Sequence, residues 1–71
     1  MGRYEESREQ LEEATRLHPE DKVIWEHLGD LYRAMEIWDA AATAYRRALE
    51  IDPALEQVKE KLRTLPAGKG S

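Results

Sequence analysis

Few side chains in this chain could do chemistry, and their spacing decides against most of it. Ser7 and Thr43 are hydroxyl nucleophiles by type, but neither has an adjacent base to take its proton. His18 and His27 are too far apart to share one helical face as ligands, and no Asp or Glu arrangement completes a metal site with them. The chain has no cysteine, so it offers neither a disulfide nor a thiolate metal site. It also lacks a glycine-rich phosphate loop and a nucleophile–base pair. The expectation is a protein that is not an enzyme, with no metal and no cofactor. What remains is the chemistry of binding and packing, carried by Tyr4, Trp25, Tyr32, Trp38 and Tyr45 and by the acids Glu26 and Asp30. An aromatic cage for a cation is one use of such rings. Their helical spacing favours packing between helices instead.

The elements that must position these residues are helices. The first is expected over 3–17, with Tyr4, Leu11, Ala14 and Leu17 on one stripe and a Glu12–Arg16 pair on the wet face. His18-Pro19-Glu20-Asp21 stops it and starts the next, because proline cannot continue a helix but suits a first turn. A second helix over 22–35 carries Ile24, Trp25, Leu28, Leu31, Tyr32 and Met35 on a wide apolar face. A third over 39–51, with Asp39 as N-cap, turns Ala41, Ala44, Tyr45, Ala48 and Leu49 or Ile51 inward. Asp52-Pro53 then opens a fourth over 54–65, with Leu55, Val58, Leu62 and Leu65 at spacings of three and four. These make one domain over 1–65, and 66–71 is expected to be a disordered tail.

Composition narrows the function further. With 71 residues the chain buries about 60% of its unfolded surface, so close helix packing or a partner must hold it together. The formal net charge of −4 disfavours a nucleic-acid or anionic-membrane binder. The stretch from Glu20 to Glu36 is the most acidic, and the C-terminal end is slightly basic. No apolar run is long enough for a membrane span, and the first residues carry no secretory apolar region, so no leader is expected. Met1-Gly2 does not signal myristoylation, because Glu6 stands where Ser or Thr is wanted. A soluble chain, cytoplasmic by default, is expected.

One run has a repeat's spacing throughout: Trp25-x2-Leu28-Gly29-x2-Tyr32, then Ala41-x3-Tyr45, Ala48 and Pro53. It resembles the tetratricopeptide signature, with Tyr in the Phe slot. The period supports the match. Shifted by about 34 residues, Tyr4 falls on Trp38, Ser7 on Ala41, Leu11 on Tyr45, Ala14 on Ala48, Leu17 on Ile51 and Pro19 on Pro53. The chain is thus similar to half a repeat, one whole repeat from about Lys22 to Leu55, and a closing helix. Lys59 and Arg63 there replace the repeat's Trp and Gly, as a solvated cap requires. The fold implied is all-α: antiparallel helical hairpins stacked as a short right-handed solenoid of about four helices.

The resemblance also implies roles. In this family Gly29 would let two helices approach closely, which offsets the ~1 kcal/mol a helical glycine costs. The first helix of each hairpin lines a concave groove for peptides or partner helices. Here the groove would carry Val23, Glu26, His27, Asp30, Arg33 and Ala34, with Gln57, Glu60, Lys61 and Thr64 from the closing helix. One subset of the family grips the C-terminal carboxylate of heat-shock chaperones with Lys and Asn. Glu26 and Asp30 stand near those places and would repel such a ligand. A basic or mixed polar peptide is expected instead, in an interaction scaffold that is a fragment of a larger repeat protein. The alternative is an assembly module, forming a homodimer or docking a sister subunit through apolar surface around Tyr4, Leu11 and Trp38.

Overall fold

The computed structural model describes residues 2–66. It is all-α: α1 spans Gly2–Leu17, α2 Lys22–Ala34, α3 Trp38–Ile51 and α4 Glu56–Arg63. Consecutive helices pack antiparallel as stacked hairpins, with α2 against α3 the most extensive contact. Apart from Pro66, the tail expected over 66–71 lies outside the described residues.

Local chemistry sets each boundary. Asp21 is extended and caps α2, its side chain accepting from the Val23 N–H at 3.0 Å. At the other end of α2, Glu36 has φ 62°, the left-handed region where glycine is usual. The Glu36 N–H donates to the Arg33 carbonyl and the Ile37 N–H to the Tyr32 carbonyl. That pair of bonds is a Schellman closure, which takes up carbonyls that the helix end leaves orphaned.

Three expectations are corrected here. Asp39 is not the N-cap of α3. The helix begins at Trp38, with Ile37 as an N-cap that makes no side-chain bond, and Asp39 sits in the first turn. Asp52 does not open α4; it closes α3, and its carboxylate accepts from the Ala54 N–H. One period on from Asp21, the N-cap position of α4 holds Leu55, which cannot cap and packs on the core instead, so α4 is shorter than expected. The Glu12–Arg16 pair is not made. Arg16 bonds Glu13, while Glu12 accepts from the Tyr32 hydroxyl.

The core sits among α2, α3 and α4. Ala41, Tyr45, Ala48 and Val58 are fully buried, with Trp25, Tyr32, Leu49, Leu55, Leu62 and Leu65 packed around them. Leu49 therefore completes the inward stripe of α3, and Ile51 is exposed. Gly29 faces this core. A Cβ placed on it would come within 2.5 Å of Cε1 of Tyr45. The close approach implied for Gly29 is thus real, and what it admits is the Tyr45 ring. Where α1, α2 and α3 meet, a smaller seam buries Thr15, Leu28 and Ala44.

Candidate functional site

The charged residues of α2 and α4 meet at one point. The Lys61 ammonium donates to Glu26 at 2.9 Å and to both oxygens of Asp30 at 3.1 Å. Asp30 also accepts from the Tyr45 hydroxyl at 2.5 Å, so its carboxylate ties α2 to both α3 and α4. Four residues apart, Glu26 and Asp30 share one face of α2, and Lys61 lies opposite them. Partial burial alone would lower the Lys61 pKa, but its bonds to Glu26 and Asp30 outweigh that and raise it. Burial, reinforced by Asp30, likewise pushes the Tyr45 phenol well above its ordinary value.

Beside this cluster lies an open hollow of about 460 Å³, lined by Asp30, Arg33, Ala34, Trp38 and Lys61. Of the residues expected in the groove, Glu26, Asp30, Arg33 and Lys61 are gathered here. Val23 is not; it lines a separate hollow with Lys22 and Ile51, next to a Lys22–Asp52 ion pair of 2.5 Å. His27 and Gln57 are exposed, and Glu60 is engaged by Arg63.

The electrostatics differ from expectation. Glu26 and Asp30 do not present bare negative charge, because Lys61 of α4 neutralises part of it. Local spacing could not reveal this pairing, since the partners are 31 and 35 residues apart. Trp38, expected on the assembly surface, half-buries itself in the hollow. Tyr4, expected to pack, is 49% exposed. Arg47 lies over the Trp25 ring at 5.6 Å. Among the described residues, no three His, Cys, Asp or Glu side chains gather in a way that could hold a metal ion. No helix described is long and apolar enough to cross a membrane.

Helical hairpins stacked side by side, with an open polar face, are the architecture of a helical-repeat scaffold. A family model described as Tetratricopeptide repeat matches residues 1–56, reaching the first residue of α4. The chain belongs to the tetratricopeptide repeat family. Such repeats generally mediate protein–protein interaction and are typically non-catalytic. No curated protein and no solved structure matches the chain.

Proposed function

We propose that the chain is a protein-interaction module whose groove between α2 and α4 holds a peptide or partner helix. The residues that would meet the ligand are Glu26, His27, Asp30, Arg33, Gln57, Glu60 and Lys61, with Val23 at the edge. The observation that carries this reading is the hollow where Trp38 and Ala34 offer apolar surface beside Asp30, Arg33 and Lys61. Such a surface suits a segment of mixed polarity with one apolar side chain to place against Trp38. It does not suit a free C-terminal carboxylate, because Lys61 is already held by two carboxylates.

A peptide array probed with the labelled chain tests this. Mixed polar peptides should bind, and Arg33→Glu, an exposed change, should alter their affinities without loss of helicity. Free acidic C-terminal peptides should bind more weakly than about 10 μM. Affinities untouched by Arg33→Glu would overturn the groove.

A second reading, assembly of copies through α1, draws on one contrast. Ala41 and Tyr45 of α3 are fully buried, while their period mates on α1 are less so: Ser7 is exposed and Leu11 half-buried. Light scattering on a sizing column over about a hundredfold concentration range separates the readings. A mass that rises with concentration, and falls back in Tyr4→Glu with Leu11→Glu, favours assembly. A constant monomer removes it.

A further inference from the structure

Another hollow, of about 380 Å³, lies where α1, α2 and α3 meet, and it shares no lining residue with the groove beside α4. Its floor is Thr15, Leu28 and Ala44, all buried. The Thr15 hydroxyl turns back to the Glu12 carbonyl at 2.7 Å, leaving the floor largely apolar. Trp25 and Tyr32 form the walls. Both rings are pinned: the Trp25 indole N–H donates to the Pro19 carbonyl at 2.9 Å, and the Tyr32 hydroxyl donates to Glu12. An apolar recess with fixed walls is preorganised, so an entering side chain has little ordering to impose.

The rim supplies the sign of the ligand. Glu12 stands on it, and Glu9 and Glu13 continue the same surface of α1. Arg16 is held by Glu13, and Arg8 by Glu5. Glu9 and Glu12 are left with no ion pair among the described residues. Arg47, which lies over the Trp25 ring, is paired with Glu50.

We propose that this hollow docks a cationic protein segment, with one bulky apolar side chain seated between Trp25 and Tyr32 and a Lys or Arg about one helical turn away facing Glu9 and Glu12. The recess gives the anchor and the carboxylates give the selection; an acidic segment would meet the same recess and be repelled.

The two tryptophans report the two faces separately, because Trp25 lines this hollow and Trp38 the other. The test is a nitrogen–proton NMR titration with capped synthetic peptides that carry one Leu or Phe among Lys and Arg. A matched set has Glu in place of every Lys and Arg. The basic set should move the Trp25 indole signal and leave that of Trp38 in place. Affinity should weaken about fivefold in Glu9→Gln with Glu12→Gln, where the Tyr32 hydroxyl keeps its acceptor. Thr43→Arg, an exposed change on the rim, should abolish binding with helicity retained. Should that variant lose helicity, the Glu9 and Glu12 changes decide alone. Equal binding by the Glu set, movement of Trp38 only, or no movement at millimolar peptide would each overturn the proposal.

Discussion

Gly29 shows how one missing carbon organises a hairpin. The Tyr45 ring occupies the space a Cβ would need, and it cannot swing aside, since it is fully buried and its hydroxyl is held by Asp30. Two effects therefore oppose each other in Gly29→Ala. Helix propensity gains about 1 kcal/mol, and overpacking loses about 1–3 kcal/mol. With a contact of 2.5 Å against a fixed ring, the second wins. The expected outcome is a net loss of up to about 2 kcal/mol in urea unfolding, and Gly29→Leu should not fold. Equal or higher stability of the Ala variant would mean that α2 and α3 are not held this closely.

The turn between α2 and α3 carries strain of a different kind. Glu36 holds φ 62°, where an L side chain costs about 1–2 kcal/mol and glycine nothing. Glycine loses some of that advantage through its freedom in the unfolded chain, about 0.5–1 kcal/mol. Glu36→Gly should therefore stabilise the fold by about 0.5–1 kcal/mol, read as a higher melting temperature; a lower one would count against the strain. The same helix ends show what the sequence could and could not disclose. Apolar spacing places all four helices and the inward stripe of α3, because period is a local property. The start of α4 misleads, since Asp52-Pro53 looks like a helix opening although the residue at the cap position is Leu55. Glu26, Asp30 and Lys61 are legible as polar residues on exposed faces, but their mutual pairing is not. It depends on how α4 lies across α2, which no local pattern encodes.

Across the whole chain, α2 is the hub, and side-chain bonds tie every other helix region to it. Glu12–Tyr32 joins α1, Tyr45–Asp30 joins α3, Lys61 with Glu26 and Asp30 joins α4, and Lys22–Asp52 secures the end of α3. These bonds titrate, so the stability of the molecule should depend on pH in a definite direction. Burial first, then the bond to Glu12 and its charge, pushes the Tyr32 phenol from 10.0 up to about 12. Tyr45 and Lys61 are raised too. A folded state that holds these protons more tightly than the unfolded chain has their full contribution below pH about 10 and loses it as pH rises through the folded values. Asp52 runs the other way. Its bonds from Lys22 and the Ala54 N–H lower its pKa, so its contribution is present above the ordinary carboxylate value and fades as acid protonates it. Urea unfolding followed by helical circular dichroism should therefore be flat near neutrality and fall by on the order of 1–3 kcal/mol between pH about 10 and 12. In Tyr32→Phe the alkaline fall should shrink while the acid limb stays. An alkaline limb unchanged by that substitution would mean that the Tyr32–Glu12 bond does not join α1 to the hub in solution.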